Sequence, residues 1–180
     1  MIRDLAVLAA RIALGAGIAA HGSQKAFGWF EGPGPVGAAR FMDSLGFRPG
    51  EKFAKAASTS EIAAGVLLIL GLGGPIGPAM LTSTMIVAAT SVHWKNGFFA
   101  QKNGIELSAL YAGGSLALAG GGYGKLSLDE ALNIKSLRSH TFTGLALAGG
   151  ILAAIVLLAS RTADAAPPDP AHALREPATT

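Results

Sequence analysis

The sequence predicts an all-α transmembrane helical bundle, and three observations carry that prediction: an apolar, charge-poor composition, five separate apolar blocks, and short glycine- and proline-marked joins between them. Hydrophobic residues make up 51% of the 180 positions and charged residues only 14%, against roughly 25% charged in a soluble domain. Mean hydropathy is +0.46. Five apolar blocks in a chain this short leave too little amphipathic sequence to coat them with polar surface, which argues against soluble buried helices. The net charge is +3, but the cations are scattered between apolar blocks and form no basic stripe, which excludes a nucleic-acid partner. The partner this composition calls for is the lipid bilayer. The absence of cysteine excludes disulfides, CxxC redox pairs, thiolate zinc sites and cysteine-ligated iron–sulfur clusters.

The blocks fall at 5–20, 56–72, 75–92, 105–121 and 141–159, each near the ~20 residues a spanning helix needs. All five are rich in Gly and Ala, which let helix backbones approach closely where lipid removes the hydrophobic drive for association. The first block is read as a retained helix, because Arg11 interrupts its apolar run and no A-x-A cleavage pattern follows. After it, Gly32-Pro33-Gly34-Pro35 breaks the chain, and residues 36–47 alternate Val36, Ala39, Met42 and Leu45 with Arg40, Asp43 and Ser44, as in a short amphipathic helix lying on the membrane interface. Blocks two and three are joined by Gly71-Leu72-Gly73-Gly74-Pro75, whose glycines suit a helix end and whose proline suits the next start. That predicts a tight antiparallel hairpin. Ser127-Leu128-Asp129-Glu130 reads as an N-cap with Glu at the third helical position, opening a short helix to about Arg138. The preceding Gly120-Gly121-Gly122-Tyr123-Gly124-Lys125 is not a phosphate loop, since Leu126 stands where Ser or Thr is required and no strand precedes it. The bundle is therefore expected over 1–160, with a disordered Pro- and Ala-rich tail over 161–180.

Antiparallel neighbours place the end of block one, the start of two, the end of three and the start of four on one membrane side. His21, Lys25, Glu61, His93 and Glu106 all sit near those ends. Arg11 lies deeper, where an arginine costs about 2.5–3.5 kcal/mol on insertion scales and turns to the bundle interior for a partner. Glu61 is the nearest candidate by sequence. The candidate ligand-binding set is thus Arg11, His21, Lys25, Glu61, His93 and Glu106, with no catalytic residue assigned. The plain alternative is that Arg11 and Glu61 tie helices together and Lys25 reaches the headgroups.

Three chemistries fit such a rim. Quinone binding wants His, Lys or Arg donors at the ring carbonyls of an apolar slot, with His and Glu to handle protons. A metal site built from His21, His93, Glu61 and Glu106 is opposed by the neighbouring Lys25 and Arg11, and no H-x-x-x-H or E-x-x-H spacing supports it. No metal is expected. A proton or solute pathway is the third, although the broken-helix and duplicated-half patterns of transporters are absent. Trp29, Trp94 and Phe98 near the same rim fit an aromatic belt.

The stretch His21-Gly22-Ser23-Gln24-Lys25-Ala26-Phe27-Gly28, then Phe41 to Gly46 before Glu61 and Gly65, and finally Tyr123-Gly124-Lys125-Leu126-Ser127-Leu128-Asp129, in that order, resembles the DoxX family. This family of small bacterial integral membrane proteins has a four-helix core. The resemblance runs from about Leu5 to Asp129 and implies that the fifth block is a C-terminal addition. It also implies a link to redox chemistry, since the family's names borrow from a thiosulfate:quinone oxidoreductase subunit and from oxidoreductases of catechol and quinone stress. Arg11, His21, Lys25, Glu61 and Ser127-Leu128-Asp129 occupy family-like positions. The implied function is a redox-associated component of the bacterial inner membrane, crossing it several times and binding a quinone-like molecule at the rim, with no covalently bound cofactor. Whether it is itself a quinone-linked oxidoreductase or a subunit of one stays open. The alternatives are a noncatalytic membrane subunit that recruits a redox enzyme, or a small transporter. Nine Lys and Arg on the rim side against four on the other place the rim in the cytoplasm by the positive-inside rule. Were the fifth block not to span, the count would be seven against six and the preference would vanish.

Overall fold

The chain folds, in a computed structural model describing residues 1–162, around helices that match the apolar blocks in order but not in length. Helix α1 spans Ile2–Phe27, running past the apolar stretch because Gly22 to Lys25 continue the helical register. It stops at Gly28, whose φ of 72° is the left-handed conformation that glycine adopts without a Cβ penalty. Helix α2 covers Gly34–Ser44. Helix α3 spans Gly50–Leu70 and starts ahead of its apolar block, with Glu51, Lys52 and Lys55 exposed on the added turns. Helix α4 begins after Pro75 and spans Ile76–Ala88, continuing as a π-helical turn over Ala89–His93 and a 3-10 turn over Trp94–Asn96. Helix α5 is Glu106–Gly121, α6 is Leu128–Ala131 and α7 is His140–Ala159.

The expected cap at Ser127 is present: its hydroxyl accepts from Glu130 N at 3.3 Å. The helix it opens is shorter than predicted. The backbone leaves helical geometry at Asn133, with φ at 55°, and resumes only as a 3-10 turn at Lys135–Arg138. The predicted tail beyond 162 lies outside the described residues.

Close backbone approach organises the bundle. A Cβ on Gly15 would sit 2.7 Å from Gly65 O, and one on Gly22 would sit 2.8 Å from Ser58 O. Larger residues at these points would hold α1 and α3 apart. Helix α4 packs on α3, α5 and α7, and Ile18, Leu68, Leu81, Met85, Leu118 and Tyr123 form the buried core. Helices α1, α3, α4 and α5 make the four-helix core, with α7 added against α4. At its contact with α4, a Cβ on Gly150 would lie 2.6 Å from Ala79 O. By length and composition α1, α3 and α7 can each cross a bilayer. Only 6% of the apolar window of α7 is fully buried, against 22% for α1 and 33% for α3, so α7 is the most peripheral of the three.

The two ends of the bundle are fixed by polar ties. At one end Arg161 Nε donates to Leu45 O at 2.8 Å and Thr162 N to Gly46 O at 2.9 Å, which puts the end of α7 beside the α2–α3 turn. At the other, Arg3 donates to Gly121 O at 3.2 Å and Lys125 N to Asp4 Oδ1 at 3.0 Å.

Candidate functional site

A cavity of about 890 Å³ lies between α3, α4 and α7, with the α2–α3 turn at one end. It exists because α3 and α7 each pack on α4 while making little contact with one another. Small residues on the facing helices, Ala57 on α3, Ala79 on α4 and Gly150 and Ala153 on α7, leave the space open. Phe41, Leu45, Phe47 and Phe53 line the end beside the α2–α3 turn. Three of the six sequence candidates, Lys25, Glu61 and His93, line this cavity.

Lys25 and Glu61 form a two-pronged ion pair, with Nζ 2.9 Å from Oε1 and 2.7 Å from Oε2. Glu61 is 5% exposed, and Lys25 offsets the cost of burying its carboxylate. The pairing follows from helix geometry. Side chains on a helix lean toward its N-terminus, so Lys25 leans back into the bundle, where Nζ also donates to His21 O at 3.4 Å. Glu61, on an antiparallel helix, leans toward the rim to meet it.

His93 sits on the π-helical turn and its Nδ1 is 2.9 Å from Asn103 O. A carbonyl only accepts, so Nδ1 carries the proton and Nε2 is the remaining acceptor of the neutral ring. His21 and Glu106 stand apart from the cavity lining. The His21 ring is exposed, with Nδ1 3.2 Å from Gln24 Oε1. Glu106 accepts from Ala100 N at 2.8 Å and so closes the α4–α5 loop.

Arg11 does not join Glu61. In the register set by the glycine contacts it faces the last turn of α3, about 12 Å along the axis from the level of Glu61, and its side chain leans away from the rim. Its guanidinium donates to four carbonyls: Nε to Leu68 O at 2.9 Å, one terminal nitrogen to Tyr123 O at 2.8 Å and Leu126 O at 2.7 Å, and the other to Ile69 O at 2.8 Å. It also lies 5.5 Å over the Tyr123 ring. Arg11 thus binds two carbonyls of the last turn of α3, of which Leu68 O also accepts from the capping Gly71 N, and sews the 123–126 loop to them. Asp129 completes the same knot by accepting from Gly73 N at 3.0 Å and Gly74 N at 2.7 Å. Burial pushes the Tyr123 phenol well above its usual range, with the Asp129 carboxylate adding to the effect, so the ring packs there protonated and neutral.

Sequence reasoning missed Ser91, which also lines the cavity. Its hydroxyl is buried without a hydrogen-bond partner, a condition shared among the described residues only by Tyr123. The available signal was the Thr90-Ser91 pair breaking the apolar run just before His93. Among the described residues, no three His, Cys, Asp or Glu side chains gather closely enough to hold a metal ion.

An all-helical bundle with long apolar helices, a glycine-packed helix pair and a cavity edged by one buried ion pair defines a class of small helical membrane protein. Residues 6–94 match the DoxX family model, which supports the DoxX assignment. No curated protein and no solved structure matches the chain. The match ends at the close of α4, so the Tyr123 to Asp129 stretch lies beyond it, bound to the matched part through Arg11.

Proposed function

We propose that the protein is a redox-associated component of the bacterial inner membrane that binds a quinone-like molecule in the cavity between α3, α4 and α7. One observation carries the reading: Lys25, Glu61 and His93 line one largely apolar space of about 890 Å³, within the range of small-molecule sites. A ring with an apolar tail suits such a slot. Its flat face and tail are accommodated by alanine, phenylalanine and leucine side chains, and its oxygens by the few polar groups. The candidate set narrows accordingly to Lys25, Glu61 and His93. Redox association rests on the DoxX match together with the quinone-related names that the family carries.

The same reading has the protein crossing the membrane several times, with the cavity near the cytoplasmic side. The contact of Arg161 with Leu45 supports counting the end of α7 on the rim side, which favours nine basic residues there against four. The mutual pairing of Lys25 and Glu61 also supports a second reading, a noncatalytic subunit that recruits a redox enzyme through α2 and its basic neighbours. Extraction in native lipid followed by analysis of co-purifying small molecules separates the two. A quinone that co-purifies with the parent chain and is depleted in Glu61→Gln supports binding, whereas a redox enzyme co-purifying without quinone supports recruitment.

A further inference from the structure

Two hydroxyls stand at one level of the cavity wall. Gly77 on α4 packs against α3, where a Cβ on it would lie 3.1 Å from Leu67 Cβ and 3.5 Å from Ala64 O. Ser83 is six residues further along α4, and six residues back along antiparallel α3 lie 58–61, so Ser83 is level with Ser60 and Glu61. All three line the cavity. On the third wall Gly150 of α7 meets Ala79. Because α4 and α7 both run toward the rim, Ala153 comes to the same level, and its small side chain leaves room there for a ring.

Other helical hydroxyls in this bundle return to a carbonyl one turn back: Thr84 Oγ1 donates to Met80 O at 3.0 Å and Ser23 Oγ to Ala19 O at 2.9 Å. Ser60 and Ser83 do not, and neither hydroxyl has another partner among the described residues. Both oxygens are open to a water-sized molecule, since the unpartnered side-chain atoms shut away from solvent are Ser91 Oγ and Tyr123 Oη alone among the described residues. Each serine therefore has an O–H to give and lone pairs to offer. Glu61 differs. Lys25 directs its N–H groups at both Glu61 oxygens and at His21 O, which leaves the ammonium little to give a ligand, while each carboxylate oxygen keeps a lone pair.

The geometry points to Ser60, Ser83 and Glu61 as the head-group subsite, one that takes the hydroxylated, reduced form of the ring in preference to the carbonyl form. A ring hydroxyl donates to Glu61, and a second ring oxygen is met by the serine hydroxyls, which donate or accept as it requires. A ring carbonyl placed at Glu61 instead meets a carboxylate that cannot donate. His93, ten residues on from Ser83 and roughly 15 Å nearer the rim, is out of reach of the same ring. This inference rests on the quinone-like reading above and assigns where the head group sits and in which oxidation state it binds best.

The test uses the full chain in detergent, with binding read by equilibrium dialysis against empty micelles. The probes are a hydroquinone kept reduced under nitrogen, a benzoquinone and a benzene, all with the same short saturated tail. The parent is expected to bind the hydroquinone about tenfold more tightly than the benzoquinone. Ser60→Ala with Ser83→Ala is expected to weaken hydroquinone binding about tenfold, leave the alkylbenzene within about twofold, and leave the melting temperature of the ligand-free protein unchanged. Lys25→Met with Glu61→Leu is expected to bring the two oxygenated rings within about twofold of one another. Undiminished hydroquinone binding by the serine variant, or a parent that binds the benzoquinone equally or more tightly, overturns the subsite while the cavity reading stands. A matching loss of hydroquinone and alkylbenzene in the serine variant, or a fall in its ligand-free melting temperature, also overturns it, because either marks a packing role for the hydroxyls. If the parent binds neither oxygenated ring more tightly than the alkylbenzene, the quinone-like reading falls and the subsite with it.

Discussion

Lys25 Nζ lies within 2.9 Å of both carboxylate oxygens of Glu61, joining the end of α1 to the middle of α3 at the edge of the cavity. Lys25 keeps 23% of its side chain exposed and Glu61 only 6%, so the two partners are not equivalent. Removing the lysine strands a buried carboxylate, whereas removing both charges strands nothing.

Lys25→Met is therefore expected to destabilise the bundle by about 2–3 kcal/mol, and Lys25→Met with Glu61→Leu to recover to within about 1 kcal/mol of the parent. Denaturant unfolding in detergent micelles checks this. Equal losses in the single and double variants would show that the pair does not act as a unit.

Arg11 is a structural tie. Arg11→Lys replaces a planar group that bonds four carbonyls with a compact ammonium of different geometry, at an expected cost of about 3 kcal/mol or more. Asp129→Asn, which weakens the acceptors of Gly73 N and Gly74 N, is expected to cost about 1.5–3 kcal/mol. Both are read by unfolding. In the fraction that stays folded, quinone affinity is expected to hold within about twofold, because neither residue lines the cavity.

The His93 to Asn103 contact fixes a tautomer. Nitrogen NMR of ring-labelled protein is expected to show neutral His93 protonated at Nδ1, with Nε2 resonating as an unprotonated acceptor. The reverse assignment would mean that the α4–α5 loop is not held as described.

The fold was legible because its signals are additive along the chain. Apolar length located the five main helices, Pro75 and Gly71 marked the α3–α4 hairpin, and Ser127 with Glu130 marked the cap. Helix ends were less legible, since polar residues such as Gln24, Lys25 and Glu51 extend a helix beyond its apolar stretch. Helix parity correctly put Lys25, Glu61 and His93 near one side, but parity carries no side-chain direction. Arg11 and Glu61 sit on antiparallel helices at different depths and lean apart, whereas Lys25 and Glu61 lean together. That distinction needs the register fixed by Gly15, Gly22 and Gly65. Ser91 was only half legible: the Thr90-Ser91 pair marks a break in the apolar run, but the π-helical turn that holds it leaves no mark in hydropathy.

The central claim is that a quinone-like molecule occupies the space between α3, α4 and α7, and filling that space tests it most directly. Ala57 and Ala153 line the cavity from opposite helices, so Ala57→Phe with Ala153→Phe replaces empty volume with side chain. The measurement is quenching of Trp94 by a short-tailed benzoquinone in the Trp29→Phe chain, with and without this pair of substitutions. Saturable quenching in the parent that weakens at least about tenfold in the filled variant, with melting temperature preserved, is the predicted result. Undiminished saturable quenching in a folded, filled variant would contradict it and place the binding elsewhere.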